Sequence, residues 1–468
     1  MPRPALRLVP DPRLSVVGAM AATVTVALLL LAAAPAGAHA LRVSSSPDAG
    51  AVLQTSPSVV TVTFGEPPDP HLSRLRVLDS SGHDEATGAT EAVPGQARSL
   101  EVHVATLGRG VYTVAWTTVS AVDGHVADGT FAFGVRVAPS AGAAAAATSH
   151  TAAAPPSTVV GRWLLYAGLM LLVGGAAVGL ACFERPPRRS WPDLSVVAWC
   201  VAVVGSLTIA MGEASAAHVP TGQLWSSSFR IQLLYRLGPL VLAALLLLAP
   251  GLRRPRRALA LLGVAGLAAM WGDVNLSHAA AATRESWLKM FEQWIHFVAA
   301  GVWIGGLVTL LIGLAALEPE GRRQTARQFS TIALGAVVVL AGSGVLRAID
   351  EVGSWHALTS TTFGQAILIK SALLLVLIGL GALNRYRSVP AAEREPRRLL
   401  TVGRIELGLA ALVLVATAVL QGQVPPASVA AASAPPPLVA AGHDFAETVA
   451  VRLTVSPGTV GFNQFAAR

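Results

Sequence analysis

The sequence predicts two parts of different class: a small antiparallel β-sandwich or barrel, followed by an all-α membrane bundle of eight transmembrane helices. Three observations point there. Residues 39–137 alternate apolar and polar side chains in short segments, apolar runs follow from about residue 159, and arginines gather in every second loop between those runs. The chain has 468 residues, 53% of them hydrophobic and only 13% charged, which is outside the range of an ordinary soluble domain. A formal charge of +8 would suggest nucleic acid in a soluble protein. Here the arginines sit in short loops, so a lipid bilayer is the expected partner and nucleic acid is not.

Residues 1–38 read as a secretory signal. Arg3, Arg7 and Arg13 precede an apolar stretch over 21–34, and Ala36-Gly37-Ala38 supplies the small residues of a cleavage site before His39. Over 39–137, Val60, Val62 and Phe64 alternate with Thr61 and Thr63. Tyr112, Val114 and Trp116 do the same, and Phe131, Phe133, Val135 and Val137 line one face. Residues 138–158 are mostly Ala, Ser, Thr and Pro and read as a linker.

The membrane part is expected over 159–425, with runs at 159–182, 195–213, 230–250, 257–274, 291–314, 328–348, 363–383 and 403–421. Each is long enough to cross about 30 Å of hydrocarbon. Arg185, Arg188 and Arg189 follow the first run, Arg253, Arg254, Arg256 and Arg257 the third, Arg322, Arg323 and Arg327 the fifth, and Arg385, Arg387, Arg394, Arg397 and Arg398 the seventh. This asymmetry predicts that both ends of the bundle lie outside the cytoplasm, with the sandwich, in a multi-pass protein of the cytoplasmic membrane. Trp225, Trp287 and Trp355 fall in or beside the outer loops, as interfacial anchors do. Residues 426–468 form an extracytoplasmic tail in which one or two strands are expected. The two cysteines, Cys182 and Cys200, both fall near cytoplasmic helix ends, which excludes a disulfide framework.

If the leader is removed before His39, that residue offers a metal both its α-amine and its ring. Asp123-Gly124-His125 adds a carboxylate and a second imidazole two residues apart, which in an extended segment point the same way. Four such donors suit a Cu(II)-like ion, and residues 39–137 contain neither Met nor Cys, which disfavours Cu(I) there. Asp-Gly is also an ordinary turn signal, on which reading His125 is merely a surface residue. His71, His83 and His103 are expected to face solvent.

The start His39-Ala40-Leu41, the pair Ser46-Pro47, the strand end Phe64-Gly65-Glu66-Pro67 and above all the stretch SAVDGHVADGTFAF over 120–133 resemble the CopC-type periplasmic copper-binding domain. The resemblance implies a Greek-key β-sandwich whose Cu(II) ligands match His39, Asp123 and His125. Some members also carry a methionine-rich Cu(I) site, whose methionines this chain lacks.

The helical part is similar to the CopD-type copper-resistance membrane proteins. Ser277-His278, the run from Trp294-Ile295-His296 to Trp303-Ile304-Gly305-Gly306, Phe329-Ser330, Gly342-Ser343-Gly344, Thr362-Phe363-Gly364 with Lys370, and Asn384-Arg385 carry the likeness. It implies movement of copper across the cytoplasmic membrane, usually inward.

In the helical part, His218 after the second run, His278 after the fourth, His296 about two turns into the fifth and His356 between the sixth and seventh all fall on the outer side. Met211, Met270 and Met290 share that level with Glu213, Asp273 and Glu292. Glu292 and His296 are four apart and share a helix face, with Trp303 near the same stripe. His296, His278, Glu292, Met211, Met270, Met290 and His218 are therefore the candidate membrane copper path. Lys370, set near Asp350 and Glu351, is either a pore-facing charge or a paired structural one. Glu406 is either an inner-gate carboxylate or a partner that neutralises Arg404.

The expected function is capture of Cu(II) outside the membrane and its transfer across the bundle, in copper homeostasis or resistance, with copper ions as cargo and copper chaperones outside the membrane as protein partners. No nucleotide-binding loop is present, and an enzyme is not expected. The rival readings are a terminal-His copper oxidoreductase of the monooxygenase kind, a haem-bearing electron carrier, and a copper sink or sensor without transport.

Overall fold

The computed structural model describes residues 42–122, 124, 126–140, 148–151, 155–184, 190–217, 228–277, 286–423, 425–427, 438–443, 450–456 and 464–467. The first part is a sandwich of two separate sheets. One has the order β1 (Arg42–Ser46), β3 (Val59–Phe64), β6 (Ser99–His103), β5 (Glu91–Ala92). The other runs β2 (Val52–Leu53), β8 (Val126–Val135), β7 (Gly110–Val119), β4 (Arg74–Leu78). The alternation read from the sequence is the reason for the layering, because period-two apolar residues all fall on one face of a strand. Val60, Val62 and Phe64 meet Val114, Trp116, Phe131 and Phe133 in one core, where the Phe64 and Trp116 rings pack edge to face at 5.4 Å.

Two details differ from the pattern. Val137 leaves the inner face, because β8 stops at Val135 and Arg136 turns the chain with a left-handed φ of 56°. The stretch read as a linker contributes a strand, β9 (Thr148–Thr151), paired antiparallel with residues 127–130 of β8. The physical reason is edge protection: β2 covers only Gly134 and Val135 of β8, and β9 completes the open edge.

Eight helices among the described residues are long and apolar enough to cross a membrane. They are α1 (Pro156–Cys182), α2 (Ser190–Ala216), α3 (Ser228–Leu246), α4 (Pro255–Val274), α5 (Ser286–Leu314), α6 (Pro319–Val352), α8 (Thr362–Leu383) and α9 (Pro396–Leu420); a short α7 (Trp355–Ser360) links the sixth and seventh spans. Proline at the first turn starts α1, α4, α6 and α9, where the missing N–H costs nothing. A five-residue π-helical turn, Asn384–Ser388, extends α8.

Small residues set the packing. A Cβ on Gly168 would fall 2.5 Å from the Ala202 nitrogen, and one on Gly205 would fall 2.3 Å from the Leu165 nitrogen, so α1 and α2 run antiparallel in backbone contact. Gly174 meets Gly301, Gly305 and Gly306 of α5, which runs parallel to α1. In lipid, where apolar burial offers little drive for helix association, such close approach is what holds spans together. The tail forms a three-stranded antiparallel sheet of β10 (Leu438–His443), β11 (Ala450–Ser456) and β12 (Gln464–Ala467), one strand more than the pattern suggested.

Candidate metal centre

His39, Asp123, His125, His218 and His278 lie outside the described residues. The scaffold around the Asp-Gly-His tripeptide is described, and Ser120 and Gly124 within it are buried. The middle residue of the tripeptide, Gly124, lies between β7 and β8. Gly124 takes a left-handed φ of 76° and donates its N–H to the Ser120 carbonyl at 3.0 Å. The buried Ser120 hydroxyl donates to Glu66 Oε2 at 3.0 Å and accepts from the Val122 N–H at 3.2 Å. The Ala121 N–H is fixed by the Pro67 carbonyl at 2.9 Å. A carboxylate buried with a hydroxyl donor thus anchors the loop that presents the tripeptide.

This loop rests on the bundle. Positions for a Cβ on Gly124 lie 3.1 Å from the Gln232 carboxamide, 3.1 Å from the Phe229 ring and 3.2 Å from Glu213 Oε2. Val119 of the sandwich is buried with Ala214 of α2 and Phe229 of α3, and Leu72, Val126 and Ala217 close the seam. With its carboxamide oriented to satisfy both neighbours, Gln232 donates to Glu213 Oε2 at 3.1 Å and accepts the Gly124 N–H at 3.3 Å.

Beneath the loop lie two buried ion pairs that the sequence reading missed. Arg162 Nη2 stands 3.5 Å from Glu213 Oε1, and Arg236 Nε stands 2.8 Å from Asp273 Oδ1. The available signal was an arginine inside an apolar run, at Arg162 in the first span and Arg236 in the third. Such a charge must find a partner in lipid.

Farther along the same end of the bundle, His296 Nδ1 shares a hydrogen bond of 2.9 Å with Ser343 Oγ, joining α5 to α6. Glu292, one turn earlier on α5, keeps a buried Oε1 with no hydrogen-bond partner among the described residues. The methionines do not converge. Met270 is fully buried, Met290 is half-buried, and Met211 is 70% exposed on the outer face of α2, because α1 already occupies the opposite face through glycine contacts. Lys289 pairs with Asp350 at 3.0 Å, and Arg347 pairs with Glu351 at 2.6 Å. Among the described residues no group of three or more His, Cys, Asp and Glu is placed to hold a metal. His71, His83, His103 and His356 are exposed.

Comparison with known proteins agrees with both parts. A CopC domain matches residues 42–136, and copper resistance protein D matches residues 323–420. The chain joins a CopC domain to a CopD membrane region. It is 27% identical over 464 residues to the copper transport protein CutJ of Bacillus subtilis (strain 168), covering 92% of this chain and 82% of that one. It is also 27% identical over 286 residues to copper resistance protein D of Pseudomonas syringae pv. tomato, covering 54% of this chain and 92% of the other. Among solved structures, CopC from Methylosinus trichosporium OB3b is 30% identical over 21% of this chain and 93% of its own, with a TM-score of 0.20.

The CopC match spans Glu66, Ser120 and Gly124, so the buried anchor and the docked loop belong to that domain. The CopD match begins inside α6 and holds Lys370 and Glu406. Lys370 is half-buried on α8 within electrostatic reach of Arg347 and Glu351, whereas Asp350 turns to Lys289. Glu406 does not face Arg404, whose side chain is exposed. It is buried and accepts a 2.6 Å hydrogen bond from Asn384 Nδ2.

Proposed function

We propose that the CopC domain captures Cu(II) outside the cytoplasmic membrane through His39, Asp123 and His125, and hands copper to the CopD region for passage inward. The coarser statement, a multi-pass membrane protein of the copper resistance and transport family, already follows from the two domains together. The observation that carries the finer reading is the link from Gly124, the centre of the tripeptide, through the Gln232 carboxamide to Glu213 at the mouth of the bundle. A metal held by the residues on either side of Gly124 would be released directly above α2 and α3.

Holding donor and acceptor in one chain gives a high effective concentration, so transfer requires no collision of two proteins. From the mouth, the path runs past Met270 and the Glu292 and His296 face of α5. The outward placement of Met211 removes it from this route. The donor set supports Cu(II) at the sandwich, being nitrogen and oxygen only. The clustering of arginines at the opposite end of the helices supports an extracytoplasmic sandwich.

The test is copper binding and flux by the purified full chain in proteoliposomes. Wild-type protein should bind one Cu(II) with a nitrogen-rich electron paramagnetic resonance signature, and a chain with His125→Ala should lose that signature. The same variant should lower flux at limiting copper. Unaltered binding and flux in that variant would remove the proposed ligand set.

A further inference from the structure

At the end of the bundle away from the sandwich, the CopD region encloses a cavity of about 180 Å³. Trp303 of α5, Phe329 and Ser330 of α6, Asn384 and Arg385 after α8, and Glu406 of α9 help to line it. Glu406 is only 4% exposed and Asn384 only 6%. Asn384 Nδ2 donates to Glu406 Oε1 at 2.6 Å, while Asn384 Oδ1 is buried with no hydrogen-bond partner among the described residues. Arg385, the cation nearest to hand in the cavity lining, instead donates to Ser330 Oγ at 3.0 Å. No ion pair to Glu406 is formed within the described structure.

We propose that Glu406 and Asn384 form a proton-binding site, loaded from the aqueous phase at the end of the bundle opposite the sandwich. The argument is one of complementarity. A carboxylate can only accept, so it satisfies the carboxamide N–H and leaves the amide oxygen orphaned. A carboxylic acid satisfies both, taking the N–H on one oxygen and donating its own O–H to the amide oxygen. The unmet acceptor on Asn384 is therefore the group that a proton on Glu406 would complete. Desolvation argues the same way, because burial away from water penalises the charged form of a carboxyl group and binding a proton removes that charge.

The walls fit a proton better than a metal ion. Hard metal ions take six or more oxygens, and the faces that α5 and α6 turn to the cavity are Trp303, Leu307, Leu310, Phe329 and Ser330, none of them charged. Arg385 and Tyr386 are the other titratable lining groups among the described residues. Tyr386, between Arg385 and Arg387 at the arginine-rich end of α8, is 76% exposed, so the cavity opens at the end of the helix where the basic residues gather. A space of this size admits several waters, since each requires roughly 10–15 Å³ by the same measure. The proton arrives from water on that side, binds the carboxylate, and returns to water there when the acid ionises.

Infrared difference spectroscopy of the full chain in lipid nanodiscs tests this directly. Wild-type protein at neutral pH should show the carbonyl stretch of a protonated carboxylic acid, shifted down in deuterated water. That band should vanish in Glu406→Gln and reappear at a moved frequency in Glu406→Asp, which guards against a misfolded Gln variant. Absence of the band in wild type, or its persistence in Glu406→Gln, overturns the assignment. A second arm rests on the transport reading: an imposed pH gradient should alter copper flux in wild-type proteoliposomes and leave Glu406→Gln indifferent. A lost band with no copper flux in wild type would keep the proton site and sink the transport reading instead. A band lost in the variant whose flux still answers the gradient would uphold proton binding at Glu406 and assign the gradient response to another group.

Discussion

Gly124 faces Glu213 across the junction of sandwich and bundle, where a Cβ on Gly124 would stand only 3.2 Å from Glu213 Oε2. Because φ at Gly124 is 76°, a side chain there meets two obstacles at once. The left-handed backbone disfavours any L-residue by about 1–2 kcal/mol, and the Gln232 carboxamide and Phe229 ring would each have to yield by a few tenths of an ångström. Gly124→Ala should therefore loosen the junction while leaving the sandwich core intact. Hydrogen exchange of the full chain should accelerate severalfold at the end of α2 and the start of α3, with strands β3 and β7 unchanged. Equal exchange at the junction would show that the contact contributes nothing to docking.

The buried pairs below that junction predict an asymmetry between single and double replacements. Removing Arg236 alone strands Asp273 in an apolar bundle, and breaking such a pair costs about 3–5 kcal/mol. Arg236→Met should thus lower the apparent melting temperature in detergent markedly. Arg236→Met combined with Asp273→Leu removes both charges and should recover most of the loss. A single variant as stable as wild type would mean that water already reaches the pair.

How much of this was legible in the sequence follows from what each signal depends on. Strand alternation placed Val60, Trp116 and Phe131 in one core, because period two is a property of the strand itself. The spans and their alternation came from run length and arginine placement, which the bilayer imposes on any chain. Partners across the bundle were not legible. Arg162 and Glu213 are fifty-one positions apart, and nothing local tells Glu213 to face Arg162 rather than a metal. Met211 illustrates the same limit: its depth was readable, but its direction depended on Gly205 and Gly212 turning the opposite face of α2 toward α1. The strand β9 was hidden because low-complexity composition says what a segment cannot bury, and pairing to an open edge requires no burial.

The bond between His296 and Ser343 gives a prediction for the membrane path. Ser343 Oγ, which also lies 2.7 Å from the Val339 carbonyl of its own helix, ties His296 Nδ1 at 2.9 Å across α5 and α6. That bond holds the imidazole in one orientation on the face of α5 that also carries Glu292. On the proposed route, His296→Ala should reduce copper accumulation about tenfold or more at normal protein level, while Ser343→Ala should cost less by freeing the ring to rotate. Equal uptake in all three proteins would take His296 off the path.

Acid should loosen one corner of the sandwich before the rest. Burial pushes the Asp84 carboxyl up, but the Arg76 guanidinium at 3.0 Å and the N–H groups of Ala86 and Val77 outweigh it and hold the group below its ordinary range. Asp79 is also held low, first by the Ser81 hydroxyl at 2.7 Å and then by the His83 N–H at 2.8 Å. A carboxyl with a depressed folded value binds its proton more readily when unfolded, so its contribution is complete above the unfolded value near 4 and fades as pH falls through the folded one. Both groups tie down the turn after β4, where Leu78 bridges Asp84. Exchange protection at the Val77, Glu85 and Ala86 amides, corrected for intrinsic rates, should therefore fall below about pH 4 while the β3 and β6 pairing holds. Asp84→Asn should show low protection at neutral pH and little further loss on acidification. A wild-type profile that stays flat across that range would mean that the turn is held by its backbone bonds alone.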